Sequence, residues 1–412
     1  MDVTADDQHA PIQEQLAVRS VRGIGRERVR DATYHRPMSI SRVEIITVDF
    51  AFSPRRGPSV AWGSSHAYAL LRLEDEDGAV GWGETYLVTG AVAALEAACP
   101  VLRGRRARDA AAILADVRRT TEHASATSAV AIAVDDLRAR QLGVPVADLY
   151  GGARRTRVQA YAASGGYREG EPTEPVWAGE VREAIDLGYR AFKLRIGRGP
   201  MAEELPIIER LVRDAGPGFL WLADGNGGFT HGRAVAMGRA LADLGFVFFE
   251  EPMDQWGGYA GYERLARDLP LPLAGGEIVM SRADAKDLLG RGGVHIVQPE
   301  PVICGGIGEV LFIAGLAALD GVPCIPHTSN GAIGIAAAMS AIACLPAPTR
   351  APIEPLPLLE IGLDENPWRT DLVALPRPEA DGFVTLPSGP GLGVEVDEAF
   401  LRRRADSVLE LT

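Results

Sequence analysis

FVFFEEP, residues 246–252, is an apolar run that ends in two carboxylates, Glu250 and Glu251, and a proline. An ionised carboxylate taken out of water costs several kcal/mol unless a cation meets it, so an acid at the tip of a core strand calls for a partner. Two similar stretches flank it: FLWLADGN (219–226) runs into Asp224, and PLPLAGGE (270–277) runs into Glu277. The three acids lie 26 and 27 residues apart, about one strand, one helix and two loops of a repeating β/α unit. Acids at three successive strand ends read as one metal site.

Outward from this stretch the same grammar continues. After Gly151-Gly152, short apolar strands are expected at 158–163, 191–196, 219–223, 246–250, 271–275, 294–298, 323–326 and 351–355. Helical segments separate them. MAEELPIIERLVRDAG puts Leu205, Ile208, Leu211 and Val212 on one face, and SRADAKDLLG opens with Ser281 and Asp284 close to capping-box spacing. Eight parallel strands with helices between them predict an α/β fold, a barrel of the TIM type. The most apolar run, 331–346, is rich in Gly and Ala and interrupted by Ser340; it reads as a buried helix, not a membrane span.

Upstream, ISRVEIITVDF, HAYALLRLEDEDG and AVGWGETY alternate as strands, with a turn at Asp77-Gly78. Helices follow to Leu142, where Gly143 and Pro145 stop them. Within these, Asp135 reads as a helix-surface acid and Asp136 as a buried hydrogen-bonding one. Residues 39–155 therefore form an α+β domain. Residues 1–38 carry six arginines, lack the apolar centre of a secretory signal, and read as a disordered or loosely attached tail.

Composition narrows the function classes. The 412 residues are 47% hydrophobic and 24% charged, ordinary for a globular protein. A formal net charge of −13 argues against nucleic-acid and membrane partners, which need basic surface; it suits a small-molecule site. Cys99, Cys304, Cys324 and Cys344 show no metal or redox spacing and read as reduced, buried thiols in the cytoplasm. Of 42 Lys plus Arg only Lys193 and Lys286 are lysine. Lys286 lies in a polar helix and reads as solvated, whereas Lys193 lies inside an apolar strand.

Active sites of such barrels lie at the C-terminal strand ends. There the sequence sets Lys193 and Arg195, Asp224, Glu250, Glu277, Glu300, His327 and Glu354 in order around the ring. Three carboxylates form a hard-oxygen site, favouring Mg²⁺ or Mn²⁺ over Zn²⁺. Lys193 beside that ion is expected to have a lowered pKa, and His327 to act as acid or base with Glu300 on its second nitrogen. A bound carboxylate substrate would lose its α-proton, and the metal would stabilise the enediolate.

From residue 40 to 400 the chain resembles the enolase superfamily, specifically its mandelate racemase branch. The resemblance rests on the order of GWGETY, SAVAIAVDDL before LGVPV and LYGG, FKLR, ADGNG, FFEEP, GGE, QPE followed by GG, PH, and SGPGLGVEVDE. It implies a modified TIM barrel, (β/α)7β, at 156–355, with the α+β domain as a cap that residues 356–412, including DGFVTLPSG, return to complete. It also implies a homo-oligomer. By resemblance Asp224, Glu250 and Glu277 bind the metal with Glu251 behind them, and Asn226 sits near metal and substrate. Lys193 contacts the substrate carboxylate, His327 pairs with Glu300, and Glu354 hydrogen-bonds the bound carboxylate. Cap loops at 52–65 and 85–90 close over the substrate, making Arg55, Arg56, Trp62 and His66 specificity candidates.

Two departures shape the expected reaction. The branch's Lys-x-Lys pair is Lys193-Leu194-Arg195 here, and Arg is a weak base; the dyad's usual Asp is Glu300. No lysine lies on the sixth strand, which sets aside the muconate-lactonising and dipeptide-epimerase branch. The leading expectation is dehydration of an acid sugar by one-base chemistry centred on His327. The alternatives are an isomerase of the same branch, whether a cycloisomerase of a sugar-acid lactone or anhydro sugar or a racemase or epimerase, and a non-catalytic binding relic.

Overall fold

The computed structural model describes residues 38–350, 356 and 359–411. The expected tail (all but residue 38) and Glu354 lie outside the described residues. The cap opens with three antiparallel strands, β1 (Ile40–Gly57), β2 (Gly63–Asp75) and β3 (Val80–Tyr86). The β2–β3 turn is made by Asp75, whose Oδ1 accepts from the amides of Asp77 and Ala79 while Gly78 takes φ +86°, the conformation that favours glycine. Against this sheet packs the helix Ala124–Leu142, buried along most of its length. Here the glycines of GWGETY find their reason: a Cβ on Gly83 would stand 2.0 Å from the Ala129 carbonyl oxygen, so β3 lies backbone-to-backbone on the helix. Asp136 accepts from the amides of Trp82 and Leu392. Asp135, read as a surface acid, is instead buried and bonded to the Tyr150 hydroxyl at 2.5 Å.

The barrel strands are β4 (Arg157–Ala163), β6 (Ala191–Arg195), β7 (Leu220–Asp224), β8 (Phe249–Glu250), β9 (Leu273–Gly275) and β10 (Ile296–Val297), each parallel to the next; β5 (Tyr167–Arg168) is a short excursion that pairs with β1 at Arg56 and Gly57. The seventh strand appears as a parallel bridge from Val297 to Cys324. The eighth was expected at 351–355. The strand that pairs with β4 is β11 (Leu359–Gly362), in register Leu359 to Ala160. The Thr328 hydroxyl, bonded to the Glu360 carbonyl at 2.5 Å, links the seventh strand's end to the eighth. Tyr161, Leu222, Phe248, Ile296 and Ile325 from successive strands form one buried cluster inside the barrel, while Phe192, Trp221 and Phe249, on the alternate face, join the larger cluster with the helices, so the barrel is a packed core.

Two C-terminal strands divide the remaining work. β13 (Ser407–Leu411) pairs antiparallel with Val43 to Thr47 of β1 and completes the cap sheet. The strand in DGFVTLPSG, β12 (Phe383–Thr385), was expected to join the cap but pairs with β4 of the barrel. The helix Ala332–Cys344 is buried at every residue except Ser340. No helix of the described residues is long and apolar enough to cross a membrane. All four cysteines are free and buried, and Lys286 is exposed.

Candidate active site

Parallel register places the ring. Arg195 stands opposite Asp224 across β6 and β7, and Asp224 opposite Glu250 across β7 and β8, so three strand ends finish level. Into this level Lys193 delivers its ammonium, which donates to both Glu250 oxygens at 2.8 and 2.9 Å and pairs with Glu360 at 2.8 Å and Asp224 at 3.9 Å. Gln298, at the end of the sixth strand, donates to Glu250 as well. In the metal-free chain burial lowers the Lys193 pKa, but Glu250, Glu360 and Asp224 outweigh burial and raise it; the lowering expected of Lys193 concerns the ion-loaded site. Sequence alone could not show Glu360 there.

Each acid responds to the same enclosure. Burial, then Glu250, raises Asp224 to about 7 against the pull of Lys193. Burial likewise raises Glu277, opposed chiefly by His327. For Glu360 burial is overcome by Lys193 and His327, which hold it at about 2.

His327 stands across the mouth from β6, between two acids. Its Nδ1 meets Glu300 Oε2 at 2.8 Å and its Nε2 meets Glu277 Oε2 at 3.2 Å. Burial lowers its pKa, yet Glu277, Glu300 and Glu360 together hold it well above the ordinary 6.5. The expected dyad is thus assembled, with Glu at 300 reaching the ring. Oxygens of Glu250 and Glu277 and a ring nitrogen of His327 all lie within 4.8 Å of one another.

Backbone strain marks the same rim. Asn226 and Glu251 take φ +42° and +33°, uncommon for residues with a Cβ and found where surroundings enforce them. Glu251 is turned behind the ring, accepting from the Tyr259 hydroxyl at 2.5 Å and the Gly276 amide at 3.1 Å. Asp224 Oδ2 and Asn226 Oδ1 are buried and accept no hydrogen bond, so both oxygens retain capacity for a cation. The donor set is oxygen-rich and net negative, as Mg²⁺ or Mn²⁺ requires.

A cavity of about 500 Å³ lies between cap and barrel. The cap lends Arg56, Trp62, His66 and Tyr86 to its wall; the barrel lends Arg195, Asn226, Glu277 and His327. The cap loop is tied down from below: the Arg198 guanidinium donates to the carbonyls of Pro58 and Ala61 and stacks 3.7 Å from the Trp62 ring centre. His66 pairs with Asp364, which Arg369 holds at 2.8 Å.

Several expected residues sit elsewhere. Arg55 does not line the cavity; alternation along β1 turns it outward onto Glu169 and brings Arg56 in. Lys193 is enclosed by acids with no exposure, and Arg195 reaches the cavity in its place. The acid of the eighth strand is Glu360, which also takes a hydrogen bond from Tyr161 at 3.0 Å. The prolines at 352, 355 and 357 were a signal against a strand at 351–355; LLEIG is the proline-free run. Tyr86, bonded to Glu300 at 2.7 Å, carried no signal in the sequence.

The comparisons with known proteins agree with this geometry. Residues 42–151 match the mandelate racemase / muconate lactonizing enzyme N-terminal domain, and residues 177–400 match the enolase C-terminal domain-like family. The chain is 34% identical over 343 residues to a D-galactarolactone cycloisomerase of Agrobacterium fabrum (strain C58), spanning 80% of this chain and 89% of that protein. It is 30% identical over 365 residues to a D-galactonate dehydratase of Xanthomonas axonopodis pv. citri, spanning 82% and 90%. A mutant L-talarate/galactarate dehydratase solved with Mg and L-glucarate shares the fold at a TM-score of 0.79 and 23% identity, over 96% of this chain and 98% of that one.

Proposed function

The chain belongs to the mandelate racemase / muconate lactonizing enzyme family of the enolase superfamily, and from that premise we propose that it abstracts the α-proton of a hydroxy-carboxylate and eliminates an oxygen at the β-carbon, most simply as an acid-sugar dehydratase. The observation that carries this reading is the Glu300–His327 pair set directly against the carboxylate cluster at the wall of one cavity. Asp224, Glu250 and Glu277 would hold a divalent cation, Mg²⁺ or Mn²⁺. Such an ion supplies charge that lowers the cost of an enediolate.

The chain's own residues do the rest. His327 Nε2 takes the α-proton and returns it to the departing oxygen, while Glu300 fixes Nδ1 and with it the ring's orientation. Glu277 contributes most to the imidazole's raised proton affinity, so drawing that carboxylate's charge elsewhere readies the ring as a base. Arg195 stays protonated and binds a substrate oxygen; it is no second base. This asymmetry, one proton-transferring group facing one fixed cation, favours elimination over racemisation. Lys193 neutralises Glu250 and Glu360 and holds them in register. The enzyme acts on a small carboxylate, as a homo-oligomer in the cytoplasm, without nucleic-acid or membrane partners.

A second reading has its own support in the 34% identity to a galactarolactone cycloisomerase. In that reading the leaving oxygen stays tethered to the product because it belongs to a ring. Mass spectrometry of product from D-galactonate and D-galactarolactone separates the two: loss of the mass of water marks dehydration, and an unchanged mass with a new keto group marks cycloisomerisation. Reaction with neither compound, nor with a wider panel of acid sugars and lactones, would count against both.

A further inference from the structure

The cap is expected to select substrate, yet its last strand touches the acid–base pair directly. Tyr86, at the end of β3, is half-buried in the cavity wall and donates to Glu300 Oε1 at 2.7 Å. The other oxygen of the same carboxylate meets His327 Nδ1 at 2.8 Å. One carboxyl therefore bridges a cap hydroxyl and a barrel imidazole, each on its own oxygen. Burial first, then Glu300, keeps the Tyr86 hydroxyl protonated, so it can donate to the Glu300 carboxylate.

The two residues before Tyr86 fasten the same region. Thr85 donates to the Val302 carbonyl at 3.0 Å, in the loop that follows Glu300. Glu84 accepts from the amides of Gly331 at 2.7 Å and Gly334 at 3.2 Å, at the start of the helix that follows His327. A Cβ on Gly331 would stand 2.8 Å from the Glu84 carboxylate, so a side chain there would displace Glu84 from its present position. Three consecutive cap residues thus hold the side chain of Glu300, the loop behind it and the helix beyond His327. Of these bonds, the one from Tyr86 reaches the carboxylate that contacts the imidazole.

We propose that Tyr86 is a positioning residue for the reaction: its hydroxyl fixes the Glu300 carboxylate that aims His327, so the acid–base pair is complete only with the cap seated. The longer side chain of Glu300 fits this role, since the carboxylate must reach both the ring and the cap. The kinetic consequence rests on the reaction proposed above; the positioning itself does not.

The test uses Tyr86→Phe in the full chain with Mg²⁺, after far-UV circular dichroism confirms folding. A free-standing readout comes first: NMR of protein labelled with ¹⁵N at histidine, following the downfield Nδ1–H signal of His327, assigned by its loss in His327→Asn. The proposal expects that signal to move in Tyr86→Phe, and to be absent or moved in Glu300→Gln with no further change on adding Tyr86→Phe. In turnover of D-galactonate or D-galactarolactone it expects kcat to fall about tenfold, the worth of one lost hydrogen bond, with KM within about twofold. The double variant with Glu300→Gln should cost less than the two single losses combined. A His327 signal unmoved by Tyr86→Phe overturns the proposal whatever the kinetics, as does full additivity with Glu300→Gln. A moved signal with no turnover by the wild type overturns the reaction assignment and leaves the positioning standing.

Discussion

Lys193 on the barrel and Arg56 on the cap are both cations of one site, and they are held in opposite ways. The Lys193 side chain has no exposure and is shared among Glu250, Glu360 and Asp224. Arg56 is about one-fifth exposed, faces Glu365 only at 3.9 Å, lies over the Phe52 ring, and keeps a buried Nε without a hydrogen-bond partner. A charge enclosed by acids is fixed before substrate arrives, which is what electrostatic preorganisation requires. A cation with an unused donor can still take a substrate group. In the proposed reaction the barrel floor carries the chemistry and the cap wall the choice of substrate, with Tyr86 crossing between them.

The sharpest break would come at the floor. His327→Asn should lower turnover by about 10²–10⁴-fold, the range for a lost general acid–base, while calorimetry still detects Mg²⁺ binding. Normal turnover in that variant would remove the imidazole from the mechanism. Next in size, Lys193→Ala leaves its acids uncompensated and should cost about 3–5 kcal/mol of stability by urea unfolding without added metal. Added Mg²⁺ should restore part of this; an unchanged unfolding midpoint would mean that the floor is not held by charge. Substituting Lys193 is thus expected to disturb the fold as well as the reaction.

On the cap side, Arg56→Leu should raise KM by about tenfold or more for substrates with an anionic far end, with kcat unchanged, as loss of a charged hydrogen bond predicts. A change in kcat alone would place Arg56 with the chemistry. Glu84 tests the seam between the two. Burial raises its carboxyl from 4.5 to about 7 despite the amides of Gly334 and Gly331. The folded state thus binds that proton more tightly than the unfolded one, and its contribution to stability falls as pH rises from 4.5 to 7. Glu84→Gln should flatten unfolding free energy over that window, and an unaltered slope would show the group charged in the fold. Smallest of all, Arg55→Ala should leave the urea-unfolding midpoint and the kinetics unchanged, since it removes only an exposed pair with Glu169.

Much of the floor was legible because strand ends recur. Asp224, Glu250 and Glu277 each follow an apolar run at β/α spacing, and parallel register converts that spacing into proximity. His327 and Glu300 were legible for the same reason. Glu360 was hard to read because 351–355 and 359–362 both offer an acid after apolar residues, and only the prolines at 352, 355 and 357 favour the second as a strand. Arg55 was misread because the phase of alternation depends on where β1 ends, and β1 continues through the loop to Gly57. Tyr86 lies 214 residues from Glu300, and no local pattern marks a contact made only when the cap docks. The surroundings of Lys193 were legible in part: Glu250, the largest influence raising its pKa, ends the fourth strand, whereas Glu360, the next, comes from the eighth.

The most direct measurement is proton NMR of substrate turning over in D₂O with Mg²⁺, beside a chelator control and His327→Asn. Deuterium entering at C2 of unreacted acid sugar, or a keto-deoxy product, with both lost on chelation and in His327→Asn, is the predicted result. A product formed at the wild-type rate by His327→Asn or after chelation would contradict enolisation by this site.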